Sequence, residues 1–145
     1  MSDLDLNVPP RGDQDPRIAD LIDAMRHTAA GIEGFKIDHA AYAAADLPPT
    51  TPVLLGSGSL DARVGVLGRD PGRNEIEERE PFIGRGGALV RQAMHRAVFG
   101  AEAPDAEARK AVGRRFFWAN TVPFKPAGNK AWSVAVKRRF VPHVR

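Results

Sequence analysis

At 145 residues the chain is long enough for one packed domain, and without cysteine it can hold neither a disulfide framework nor a thiolate metal site. No run approaches the roughly 20 apolar residues of a membrane span, and no signal peptide precedes the polar N-terminus, so a cytoplasmic chain without membrane contact is expected. The net charge of +3 is unevenly spread: residues 1–107 hold 11 Lys/Arg against 18 Asp/Glu, and residues 108–145 hold 10 Lys/Arg with no acid. Such a basic end is either a solvated face or a surface for a polyanion such as DNA, gripped through its phosphates.

Residues 1–14 are polar, with Pro9-Pro10 and Gly12, and are expected to be a disordered lead-in to a domain spanning 15–145. Asp15-Pro16 has the form of a helix cap followed by proline in the first turn. Ile18, Leu21, Ile22, Met25 and Ala29 then recur at helical spacing, which predicts an amphipathic helix of about four turns, ended by Gly31 and Gly34. His27 on it reads as an ordinary surface histidine. A short helix is expected around Ala40–Ala45, closed by Pro48-Pro49, and Val53–Leu55 forms a possible short strand before the flexible Gly56-Ser-Gly58.

Arg63–Leu67 is the clearest strand pattern, short, apolar and suited to burial. After the loop that follows it, Leu89, Val90, Ala93, Met94, Ala97 and Val98 keep helical spacing up to Gly100, a natural C-cap; His95 on this helix reads as a surface or half-buried residue. Pro104-Asp105 is placed to start another helix through Val112, and Phe116–Asn120 reads as the next strand. Strand, helix, strand at this spacing implies a right-handed crossover, hence an α/β fold with a mainly parallel sheet between two layers of helices. Thr121–Lys130 is a loop rich in Pro and Gly, Ser133 can cap a last helix, and Pro142 interrupts it.

Between the first strand and its helix lies the densest chemistry, Val64-Gly-Val-Leu-Gly-Arg-Asp-Pro-Gly72 through Pro81-Phe-Ile-Gly-Arg-Gly-Gly87. Gly68 and Pro71-Gly72 turn the chain sharply and leave Asp70 at the carboxyl end of the strand, where open α/β sheets bind their ligands. The glycines at 84, 86 and 87 leave backbone N–H groups open at a helix start, an anion site or simply a tight turn. Neither a P-loop nor a dinucleotide fingerprint has this spacing.

In these residues the chain resembles the uracil-DNA glycosylase superfamily, most closely its family 4 branch. That branch carries a G-E-x-P-G turn, a loop of the same length as here, and P-F-x-G-R-x-G. Gly56–Ala62 and Asn120–Asn129 fit in the same order, so the resemblance runs from about Val53 to the C-terminus. It implies a three-layer fold, uracil-containing DNA as partner, base flipping, hydrolysis of the N-glycosidic bond and a role in base-excision repair at the nucleoid. Family 4 members hold an iron–sulfur cluster on four cysteines; with none here, no metal cluster or other cofactor is expected. The family acid directly follows the first glycine, where this chain has Arg69, and Asp70 falls where the family 1 motif Gly-Gln-Asp-Pro-Tyr places its water-orienting aspartate. The resemblance also implies a later histidine loop that nothing after Asn129 matches. The sheet is therefore expected to be incomplete at the C-terminus, with an exposed edge.

The chemistry asks for the same groups. Breaking the bond develops positive charge on the sugar and negative charge on the base, so a carboxylate that steadies the sugar and orients water is needed, and Asp70 is placed for it. Asp70 alternatively serves as a turn or helix-cap residue. Phe82 is either a ring exposed to stack on an extruded base or a core residue. Asn120 offers the donor and acceptor that suit the O4 and N3–H edge of uracil. Gly68, Arg69, Pro71 and Gly72 complete the expected substrate pocket, and Arg85, Gly86, Gly87, Lys125, Lys130, Lys137, Arg138 and Arg139 are the expected DNA contacts. Two rivals remain open: a catalytically silent or truncated nucleic-acid-binding member of the superfamily, and a hydrolase of small nucleotides on the same fold. The oligomeric state is not legible.

Overall fold

The computed structural model describes residues 16–49 and 58–145. The expected cap at Asp15 and strand at Val53–Leu55 lie outside them. Pro16–Ile18 forms a 3-10 turn that leads into α1, Ala19–Ala30, which closes at Gly31 as expected. Met25 and Ala29 are its buried positions, and Ile18 is buried in the turn before it, so the helical spacing identified the packed face. The short helix α2, His39–Ala44, starts on Asp38, whose carboxylate accepts from the Ala41 N–H at 3.0 Å.

Two strands, β1 (Gly65–Gly68) and β2 (Phe117–Asn120), pair in parallel with Gly65 opposite Phe117 and Gly68 opposite Asn120. Between them run α3 (Arg73–Glu78), α4 (Arg85–Phe99) and α5 (Ala106–Gly113). This is the expected α/β crossover. α5 begins on Asp105, whose side chain accepts from the Ala108 N–H at 2.8 Å, and α4 ends at Gly100 with φ +71°. The last helix, α6 (Val134–Phe140), is capped by the Ser133 hydroxyl and gives way to a 3-10 turn, Val141–His143, at Pro142.

Side chains alternate across β2, and that alternation separates two layers of helices. Phe117 faces the aromatic core built with α1 and α6. There Phe35 stacks on Trp132 with ring centroids 4.4 Å apart and meets Phe124 edge-on at 5.5 Å, and Phe140 lies 5.9 Å from Phe124. Trp118 faces the other way, toward α4 and α5, and donates its indole N–H to the Gly113 carbonyl at 2.7 Å.

One expectation is corrected. The strand pattern at Arg63–Leu67 suggested burial, but the strand begins two residues later and leaves Val64 and Leu67 52% and 55% exposed. Among the described residues β1 has β2 as its sole strand neighbour, so little covers its apolar side chains. In α4 the apolar stripe is not the packed face. Leu89 is 73% exposed, whereas Gly87 and Arg91 are buried. The helix turns that second face to α5 and Trp118, because Arg91 finds polar partners there.

Candidate active site

The first strand ends at Gly68, and the two loops leaving the parallel strands are tied together at once. The Thr121 N–H donates to the Gly68 carbonyl at 2.8 Å and the Val122 N–H to the Arg69 carbonyl at 3.1 Å. Gly68 has no room for a side chain. A Cβ there would lie 2.4 Å from the Phe82 ring and 2.7 Å from the Asn120 amide oxygen. The glycine is what lets a ring from one loop and an amide from the second strand meet.

Around that meeting point lies a cavity of about 320 Å³, lined by Gly68, Arg69, Asp70, Pro71, Glu75, Phe82, Gly84, Gly86, Gly87, Val90 and Asn120. The Asp70 carboxylate is only 7% exposed and accepts from Arg69 Nε at 2.8 Å, while the Arg69 side chain itself is largely in solvent. The solvent-facing guanidinium fixes the position of a nearly buried carboxylate at the mouth of the cavity. Asn120 is buried, and among the described residues no hydrogen bond is made to its side-chain amide. Gly84 is the N-cap of α4, so the first N–H groups of a 15-residue helix open onto the same cavity and favour negative charge there.

Phe82 has φ +56°, a left-handed conformation uncommon for a bulky residue. Its ring packs 5.1 Å from Trp118 while still lining the cavity, so it is neither wholly core nor wholly free. The backbone is held close to α4: a Cβ on Gly87 would sit 1.5 Å from the Phe82 carbonyl oxygen.

The cavity thus brings together Gly68, Arg69, Asp70, Pro71, Phe82, Asn120, Gly86 and Gly87 from the sequence-based expectation. Gly72 stands just behind it as the N-cap of α3. Arg85 is exposed at the start of α4 and faces a neighbouring groove with Ala88, Leu89, Gln92 and Arg109. Lys130, Arg138 and Arg139 are exposed and Lys137 is half-buried; none of them lines the cavity.

Lys125 is a correction. Expected to meet a phosphate, it is 3% exposed, and its ammonium is fully occupied by Asp38 Oδ2 at 2.9 Å, Asn129 Oδ1 at 3.0 Å and the Pro126 carbonyl at 3.1 Å. Its own N–H donates to the Tyr42 hydroxyl at 3.1 Å. Composition placed it among surface cations; the fold uses it to lock the loop after β2. The hydrogen bonds from Lys125 and Ala41 hold the Asp38 carboxyl below its ordinary value. Burial pushes the Tyr42 hydroxyl well above its own.

Glu75 and Arg91 were not anticipated. Glu75 lies in the first turn of α3 and reaches back over the N-cap: a Cβ on Gly72 would meet its Oε2 at 2.4 Å. Its position three residues after the cap, the spacing of a capping box, was the available signal. Arg91 is buried under the Phe82 turn, donating to the carbonyls of Pro81 (2.8 Å) and Phe82. Burial lowers its pKa from the ordinary value, with Glu80 and Glu75 acting in the opposite sense. A polar residue inside a helical pattern gives no sign of such burial. His143 lies elsewhere, its Nε2 2.7 Å from the Thr28 hydroxyl.

Among the described residues no group of His, Asp and Glu is arranged to hold a metal ion, and no helix is long and apolar enough to cross a membrane. The sequence matches the Uracil DNA glycosylase superfamily over residues 55–145. It is also 39% identical over 44 residues to the Type-4 uracil-DNA glycosylase of Thermotoga maritima, a stretch that spans 30% of this chain and 23% of that relative's length.

Proposed function

The chain belongs to the Uracil DNA glycosylase superfamily, and we propose that it binds uracil-containing DNA, extrudes the base and hydrolyses its N-glycosidic bond. One observation carries the reading: Phe82, Asn120 and Asp70, from three separate stretches of chain, converge on one cavity around a glycine that admits no side chain. An enzyme that acts on a base must take it out of the stack and hold it by a flat face and a hydrogen-bonding edge. The Phe82 ring supplies the face. The Asn120 amide, with one donor and one acceptor end, reads the O4 and N3–H edge of uracil.

As the bond between the base nitrogen and C1′ breaks, its electron pair stays on uracil and positive charge gathers on the sugar. Asp70 steadies that charge and orients a water whose oxygen bonds to C1′ as one of its O–H bonds breaks, the proton passing to the Asp70 carboxylate. The open N–H groups at the start of α4 face the anion that forms on the base. Exposed Arg85, Lys130, Arg138 and Arg139 offer charge to the DNA backbone, and binding should weaken with salt.

The test is base release from an oligonucleotide with one uracil, single- and double-stranded, read as strand breakage after alkali. Asp70→Asn should lower the rate by about 10²-fold or more. No release by the unaltered chain from either substrate would overturn the reading. Release by Asp70→Asn at the rate of a surface variant would remove Asp70 from the mechanism.

A further inference from the structure

We infer that Arg91 is a positioning residue that clamps the Phe82 turn and so sets the stacking ring in the base pocket. The inference rests on the proposed role of that pocket for its consequence, but its geometry stands apart from it. Arg91 lies in the second turn of α4, 6% exposed, where a cation needs a specific reason to be. One edge of its guanidinium donates to two successive carbonyls, those of Pro81 at 2.8 Å and Phe82. Its flat face lies over the Trp118 ring, 4.3 Å from the centroid.

The neighbours are shaped to admit it. A Cβ on Gly113 would come within 2.8 Å of Arg91 Nε, so α5 has a glycine where the side chain passes. Gly87 brings the helix against the Phe82 carbonyl, which Arg91 then secures. The clamped residue is the one that needs holding. Phe82, with φ +56°, is in a conformation that a phenylalanine keeps only when its surroundings impose it. That conformation turns the ring onto Gly68, beside Asn120.

A planar fork that binds two carbonyls and stacks on an indole cannot be replaced by a point charge. Arg91→Lys keeps the charge and loses the fork, and Arg91→Met keeps the bulk and loses both. In the free protein, the nuclear Overhauser contact between the Phe82 ring and the Gly68 Hα should be strong in the unaltered chain and weak or absent in both variants. Retention of that contact in either folded variant would overturn the clamp.

The consequence is read by titrating free uracil and by excision kinetics. Arg91→Lys should weaken uracil binding and raise KM by about tenfold while kcat changes by less than about threefold. The defect should vanish when Phe82 is already Leu, because Arg91 acts through that ring. A loss that adds to Phe82→Leu would show a merely structural role. Failure of the unaltered chain to bind uracil would count against the proposed function, while the ring contact would still decide the clamp.

Discussion

The two faces of the small sheet are filled by opposite means. On the Phe117 side, Phe35, Phe124, Trp132 and Phe140 interlock with Met25 and Ile18 in an apolar core closed by α1 and α6. On the Trp118 side the central group is a buried arginine, and the contacts that matter are hydrogen bonds to carbonyls and a cation over a ring. Apolar burial is strong and without direction, so it stabilises but does not aim. Hydrogen bonds are directional, and a buried fork is costly to misplace. One face holds the chain together, and the other sets a ring and an amide around a cavity.

Phe140→Ala should break that division most forcefully. Removing a fully buried ring from the aromatic cluster is expected to cost about 3–5 kcal/mol. Denaturant unfolding would measure the loss, and the fraction that remains folded should bind uracil as before. An equal loss of uracil affinity in that fraction would mean the two faces are not separate.

Lys125→Met probes the loop that joins the faces. It strips a buried cation from Asp38, Asn129 and Pro126, and a loss of roughly 3 kcal/mol is expected. The pair also has a pH signature. The Asp38 carboxyl is held below 3.8 in the folded chain, so its contribution is present above that value and is lost as pH falls through the lowered one. Stability measured down to pH 3 should therefore decline in the unaltered chain through this group, and less so in Lys125→Met.

Gly100→Ala sharpens the comparison from the quiet end. Gly100 closes α4 at φ +71° with open space around it, so only backbone strain is added. A loss of about 1 kcal/mol is expected. Thermal unfolding should show it, with the cavity unaffected.

Much of this molecule was legible because local rules dominate locally. The caps at Ser133 and Gly100, the α1 face and the parallel pairing of β1 with β2 follow from short-range backbone chemistry and the handedness of crossovers. The cavity residues Gly68, Asp70, Phe82 and Asn120 were readable because each sits at a strand end or a glycine turn. Lys125 and Arg91 were not. Charge favours water unless partners are ready inside, and those partners, Asp38 and Asn129 for one, two carbonyls and Trp118 for the other, come from other parts of the fold. The exposed stripe of α4 has the same origin. Periodicity identifies a face of a helix, but what packs there depends on which neighbours the tertiary structure brings to it.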